Sequence, residues 1–252
     1  MTSSVTGPFW ASAFLDFPAS SFTPGVAFWR GVTGFDLSPA RGDHHEFATL
    51  VPPEGDDYLR VQRVQDGPGG IHLDLHVDDP RAAADEAVAL GAEELADRGH
   101  VVLRSPGGLT FCMVSRPATR RPPPAAWPDG NRSLVDQVCL DIPSSGYAEE
   151  CGFWSALTGW ELTASPVSPS FSRLTRPAGI PLRLLIQRLE ESSGTARAHL
   201  DLAAEDRASE VQRHAALGAT VVAENSHWTV LRDPVGSPYC VTDRDPETGM
   251  LP

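Results

Sequence analysis

The chain lacks most of the features that would assign it a chemistry at once. It has no GxSxG, Walker loop, dinucleotide fingerprint or HExxH, so serine-hydrolase, nucleotide-binding and zinc-protease functions lack support. Basic residues are scarce: no Lys or Arg precedes Arg30, and the formal net charge is −13. A polyanion would meet repulsion, so no nucleic-acid partner is expected. No basic start leads into a long apolar run, so no export signal is read, and no window is apolar enough to span a bilayer. Four cysteines (Cys112, Cys139, Cys151 and Cys240) show no CxxC spacing. Reduced thiols and a cytoplasmic location are the expectation.

What the chain does contain, it contains twice. Phe28-Trp29 returns as Phe153-Trp154, a shift of 153 − 28 = 125. His72-Leu73-Asp74-Leu75 returns as His199-Leu200-Asp201-Leu202, a shift of 127, and Val102-Leu103-Arg104 as Val230-Leu231-Arg232, a shift of 128. Two copies act as a small alignment, so polar residues kept in both become site candidates. Between them lies a stretch rich in Pro and Arg, including Arg120-Arg121-Pro122-Pro123-Pro124. Prolines deprive helices and central strands of donors, so this stretch reads as an extended connector. The expected division is a first domain over 1–115, a linker over 116–132 and a second domain over 133–252.

Each copy splits again into strand, helix and three strands. In copy one, Ala13, Leu15 and Phe17 alternate with Ser12, Phe14 and Asp16 as a half-buried strand, and Thr23-Pro24 reads as the N-cap and first-turn proline of a helix closed by Gly34. The order restarts after Gly69-Gly70 with the alternating strand Ile71–Val77, and Asp79-Pro80 caps the next helix. Copy two repeats the plan, with its last helix over Asp206–Leu217. The predicted class is α+β, with four βαβββ modules in two tandem domains. One face of each mixed sheet should pack on helices, and the other should form a polar concavity.

With paired βαβββ units, the His-Leu-Asp-Leu strands, the Phe-Trp…Gly helix and the Arg232-Asp233-Pro234-Val235-Gly236 turn, the chain resembles the vicinal oxygen chelate superfamily. That superfamily includes glyoxalase I, bleomycin-resistance proteins, fosfomycin-resistance enzymes and extradiol dioxygenases. Its enzymes hold a divalent metal with side chains from the first and fourth strands of each half, usually His or Gln followed by Glu. The matching positions are Ser12, Gln62, His72 and Cys112 in copy one, and Gln137, Gln187, His199 and Cys240 in copy two. Neither copy has a carboxylate where the family places Glu. Imidazole, carboxylate and thiolate make good ligands, so copy one offers a poor set. Copy two is better only if thiols ionise, with Cys139 in reserve beside Gln137.

His72 and His199 are the candidate catalytic bases, read as hydrogen-bonded or ligand-contacting strand residues before metal ligands. Gln62 and Gln187, each followed by Arg, suit either a cross-strand polar pair or hydrogen bonding to a ligand. Asp74 and Asp201, two residues beyond each His on the same face, could orient it or meet solvent. Cys112 and Cys240 read first as small buried hydrophobes. Asp43-His44-His45-Glu46 has no counterpart in copy two and reads as a solvated turn. Arg104 and Arg232 are expected to pin their hairpins, ahead of the alternative of binding an acidic ligand at the cleft mouth.

The main expectation is a glyoxalase-like protein binding a small organic molecule in a sheet-lined cleft, without a complete catalytic metal site and with no required cofactor. The ligand contacts would be Gln62, Asp74, Gln137, Gln187, Asp201, Cys139, Cys240, Ser12 and Cys112. The alternative is a metal-dependent lyase, isomerase or dioxygenase that chelates neighbouring substrate oxygens through His199, Gln137, Gln187 and Cys240. The partner expected is a small-molecule ligand, not nucleic acid or membrane, with a homodimer left open.

Overall fold

The computed structural model describes residues 7–252 of the chain. The first module is β1 (Trp10–Pro18), α1 (Phe22–Thr33), β2 (Asp36–Leu37), β3 (Phe47–Val51) and β4 (Leu59–Val64). The second is β5 (Gly70–His76), α2 (Pro80–Ala89), β6 (Glu93–Asp97), β7 (Val101–Arg104) and β8 (Thr110–Val114). In the proline-rich connector, β9 (Ala125–Ala126) pairs antiparallel with the start of β10 (Arg132–Ile142). The third module continues with α3 (Tyr147–Thr158), β11 (Glu161–Ala164), β12 (Phe171–Thr175) and β13 (Arg183–Arg188). The fourth is β14 (Arg197–Ala204), α4 (Arg207–Ala216), β15 (Thr220–Glu224), β16 (Trp228–Arg232) and β17 (Pro238–Thr242).

The βαβββ plan therefore holds four times, and the fold is α+β. Strands run β2-β3-β4-β1-β5-β8-β7-β6 in one sheet and β11-β12-β13-β10-β14-β17-β16-β15 in the other. Within each module the three strands after the helix pair antiparallel in order, but β5 with β8 and β14 with β17 are parallel. Those two pairings bring residues about forty positions apart side by side, and the candidate site depends on them.

Helix ends follow local chemistry. The Asp79 side chain accepts from the N–H groups of Arg81 and Ala82, with Pro80 in the first turn, and Asp206 caps α4 through Ser209. Gly34 and Gly159 close α1 and α3, both at φ 69°, a left-handed conformation that glycine adopts without a Cβ clash. One cap is corrected. The N-cap of α1 is Ser21, not Thr23; Ser21 sits in the right-handed region and its side chain caps nothing, so the cue of an N-cap hydroxyl before Pro24 misplaces the start by two residues.

Contacts divide the chain into two compact units, each of which takes one module from each copy. One comprises Ile71–Arg120 and Cys139–Ala198 with the start of β1. Its core joins Phe111 of β8 to Phe153 and Trp154 of α3, with ring centroids at 5.9 and 5.2 Å. The other comprises Leu15–Gly70, Arg121–Val138 and His199–Pro252. There, Phe28 and Trp29 of α1 pack on Tyr239 of β17 at 5.8 and 5.3 Å. The repeated Phe-Trp pairs are thus core residues, as their pattern predicts. Among the described residues, no helix is long and apolar enough to cross a membrane.

Candidate functional site

Alternation along β14 puts Leu200 and Leu202 on one face and His199 and Asp201 on the other; all four are buried or nearly so. The parallel ladder sets Asp201 directly beside Cys240 of β17. His199 Nε2 lies 3.3 Å from Asp201 Oδ1 and 3.6 Å from Cys240 Sγ. From β10, Gln137 donates its amide N–H to Asp201 Oδ2 at 2.5 Å. The other oxygen, Asp201 Oδ1, is buried and accepts no hydrogen bond.

A charged pair supports this group. Arg244, just past β17, donates two hydrogen bonds to the carboxylate of Asp136 on β10, at 3.2 and 2.5 Å, and both residues are buried. Burial alone would raise the Asp201 carboxyl; the His199 contact, the Arg244 charge and the Gln137 amide outweigh it and leave the group below its usual range. Burial, then the Asp201 charge, push the Cys240 thiol up.

Copy one builds the same trio on different surroundings. Asp74 of β5 is in register with Cys112 of β8, and donor atoms of His72, Asp74 and Cys112 all lie within 4.8 Å of one another, as do those of His199, Asp201 and Cys240. His72 stacks on Phe14, centroids 4.5 Å apart and planes at 10°. Ser12, at the position of Gln137, has a different partner. Its hydroxyl bonds His76 Nε2 at 2.8 Å, and His76 Nδ1 bonds the Arg116 carbonyl at 2.6 Å.

The remaining candidates have partners of their own. Cys139 and Gln187 meet each other, with Cys139 Sγ 3.7 Å from Gln187 Oε1 and 3.8 Å from Asp141 Oδ1. Gln62 is half-buried on β4. Toward the outer strands Gln62 faces Phe47 and Gln187 faces Phe171, while Gln187 meets Cys139 of β10 on its other side as a cross-strand polar contact. The arginines that follow sit near the first ring of each helix, Arg63 by Phe22 and Arg188 by Tyr147, both 6.0 Å from the centroid. Arg232 pins its hairpin through the Gly236 carbonyl, Arg104 pairs with Glu93 across strands, and Glu46 accepts from the His44 N–H in an exposed turn.

A family model described as a glyoxalase-like domain matches the chain twice, over residues 12–114 and 137–242. The chain belongs to the glyoxalase-like family of the vicinal oxygen chelate superfamily. Solved structures share the fold of this tandem glyoxalase-like protein. The Mn(II)-bound glyoxalase from Novosphingobium aromaticivorans is 17% identical with TM-score 0.63, covering 98% of this chain and 86% of its own. The 2,3-dioxygenase LapB from Pseudomonas sp. KL28 is 15% identical with TM-score 0.64, covering 95% and 93%. A triple mutant of 4-hydroxymandelate synthase from Streptomyces coelicolor is 17% identical with TM-score 0.61, covering 95% and 93%. No curated protein matches the chain.

The Novosphingobium glyoxalase is Mn(II)-bound, and the donor chemistry of copy two can be tested against a divalent metal. Tetrahedral bonds of typical length put a nitrogen and an oxygen ligand about 3.4 Å apart, and a nitrogen and a sulfur about 3.6 Å apart. The observed 3.3 and 3.6 Å match those edges. The set of imidazole, carboxylate and thiol, with one buried carboxylate oxygen unbonded, fits a small borderline-soft cation. Sequence reasoning missed Asp136 and Arg244. The available signal was Asp136 itself, whose parity groups it with Leu134, Val138 and Leu140 and so demands a buried cation partner.

Proposed function

We propose that this glyoxalase-like protein binds a small organic molecule against a divalent cation held by His199, Asp201 and Cys240. One observation carries the reading: Asp201 Oδ1 is a buried carboxylate oxygen that accepts no hydrogen bond yet lies 3.3 Å from an imidazole nitrogen. A buried carboxylate oxygen held only by an imidazole contact is poorly satisfied, and a cation is the partner that His199 and Cys240 complete. Counting carboxylates only at the family's own ligand positions hides this donor, because Asp201 enters from two residues beyond the histidine. A cation held there supplies Lewis acidity to adjacent oxygens of a bound ligand. The chain's part is to fix the donors: Gln137 sets the carboxylate, and the Asp136–Arg244 pair backs it with charge. The ligand class is a small molecule with two neighbouring oxygens, and the chemistry is of lyase, isomerase or dioxygenase type. The free thiols suit a reducing compartment such as the cytoplasm.

A metal-free binder is the second reading, favoured by the Cys240 thiol that burial keeps protonated. Elemental analysis of protein purified without added metal separates the two. Metal bound in stoichiometric amount, and lost in Asp201→Asn and His199→Ala, supports the cation. Absence of metal, together with small-molecule binding undiminished by chelators, overturns it in favour of the binder.

A further inference from the structure

The guanidinium of Arg244 is only half used by Asp136. Nε and Nη2 donate to that carboxylate at 3.2 and 2.5 Å, which leaves the Nη1 edge. Among the described residues Nη1 makes no hydrogen bond, and it is open to solvent although the side chain as a whole is only 10% exposed. The trio lies within electrostatic reach. Burial would lower the Arg244 pKa, but Asp136, then Asp201 and Cys240, outweigh it and hold it up. Copy one has the arginine without its holder. The shift of 128 that relates Val102 to Val230 relates Arg116 to Arg244, whereas the shift of 125 that relates Phe28 to Phe153 relates Ala11 to Asp136. Arg116 is exposed, and Arg244 is buried. Replacing a buried ion pair by apolar side chains of similar volume is often neutral or stabilising, so packing alone does not account for a pair built in one copy only.

We propose that Arg244 is the specificity-determining residue of the copy-two site, and that the small molecule bound there carries a carboxylate, which meets the open Nη1 edge of the guanidinium. The proposal rests on the reading of this site as one for a small molecule beside His199, Asp201 and Cys240. A guanidinium offers its N–H groups in a rigid plane that matches two carboxylate oxygens, and hydrogen bonds between charged partners are short and strong. Asp136 fixes that plane before a ligand arrives, so little side-chain freedom is lost on binding. The setting is buried, which strengthens the contact further. Asp201 opposes an anion, but its charge is already met by the Gln137 amide and the His199 imidazole.

The test sets acids against their neutral amides: lactate against lactamide, and 3,4-dihydroxybenzoate against 3,4-dihydroxybenzamide. Each pair keeps two neighbouring oxygens and differs in charge. Binding to the full chain is measured by titration calorimetry, with and without Co(II). At least one acid should bind the parent about 10- to 100-fold more tightly than its amide. Arg244→Met should bring the two affinities together. Because that change takes the cation from Asp136, the measurement is repeated in Arg244→Met with Asp136→Leu, where the same loss of preference is expected. A preference for the acid that survives in the double variant overturns the proposal. Equal weakening of acid and amide also overturns it, by reducing Arg244 to a positioning residue. So does a parent that binds neither pair, or binds acid and amide alike. Cobalt separates this proposal from the one beneath it. An Arg244-dependent preference in a chain that holds no cobalt leaves the carboxylate contact standing and overturns the cation; bound cobalt without any preference does the reverse.

Discussion

Glu210 and His214, one turn apart on α4 and both fully enclosed, meet carboxylate to imidazole at 3.1 Å. The same carboxylate accepts from Ser133 at 2.6 Å, Arg213 at 2.6 Å and Asn131 at 3.1 Å, and His214 Nδ1 lies 3.0 Å from the Tyr239 hydroxyl. Burial alone would raise Glu210, but His214 and the other donors hold it down to about 2 against an ordinary 4.5. The depressed value means the folded state favours the charged form. The stabilisation, about 3 kcal/mol from the shift, is complete above pH 4.5 and is lost as pH falls toward about 2. Burial also keeps His214 neutral, with its value lowered, so stability drains in the same direction below its ordinary 6.5. Urea midpoints measured from pH 7 down to 3 should fall steeply for the parent and more gently for Glu210→Gln, which should already be less stable at pH 7. Parallel curves for the two proteins would contradict the account.

The Asp136–Arg244 pair gives a prediction about order of removal. Both groups are buried, and each faces the other's charge. Arg244→Met takes the cation away from a buried carboxylate and should cost about 3–5 kcal/mol. Adding Asp136→Leu removes the stranded charge and should restore much of that loss. Chemical denaturation of both singles and the double checks it; a double mutant less stable than either single would show that the pair is worth more than its desolvation.

How the two units anchor their tryptophans predicts a different weakness in each. Trp29 donates to Asp233 of the β16–β17 turn at 3.2 Å, while Trp154 donates to Glu150 of its own helix at 2.7 Å. Glu150 also accepts from the Gly107 N–H in the β7–β8 turn at 2.5 Å, replacing the carboxylate that this turn lacks. Glu150→Ala should therefore strand two donors at once and cost about 2–4 kcal/mol. Asp233→Ala also removes acceptors from the Val235 and Ser237 N–H groups of its own turn. Hydrogen exchange should localise the damage to 105–109 in the first variant and 233–237 in the second. Loss spread evenly over the chain in either would be inconsistent with these anchors.

These contacts mark where the sequence is legible. Strand alternation and caps are local, so β5, β14 and the Asp79 and Asp206 helix starts can be read from a few residues. The repeat brings out His72, His199, Cys112 and Cys240 as candidates. The role of Asp201 is not local: it depends on the parallel ladder that sets it beside Cys240, and a strand does not carry the identity of its neighbour. The pairing of modules across the copies is equally long-range, as Arg213 shows by donating to the Gly31 and Val32 carbonyls at the end of α1. Ser21 illustrates the opposite failure, a local cue overruled where a helix begins without a side-chain cap.

The two closing glycines of α1 and α3 are a matched pair that separates backbone strain from packing. Gly34 and Gly159 share φ 69°, so an alanine at either pays the left-handed penalty of about 1 kcal/mol. Their surroundings differ. A Cβ on Gly159 meets nothing within 4 Å, but one on Gly34 comes within 3.2 Å of the Trp127 ring. That ring lies under the Arg213 guanidinium at 3.5 Å and donates its N–H to Ser133, so it cannot shift without disturbing the Glu210 network. Gly159→Ala should therefore lower stability by about 1 kcal/mol, and Gly34→Ala by about 2 kcal/mol or more. Thermal denaturation of the two variants side by side checks the difference. Equal losses would mean that Trp127 yields freely and that the contacts around Glu210 are looser than described.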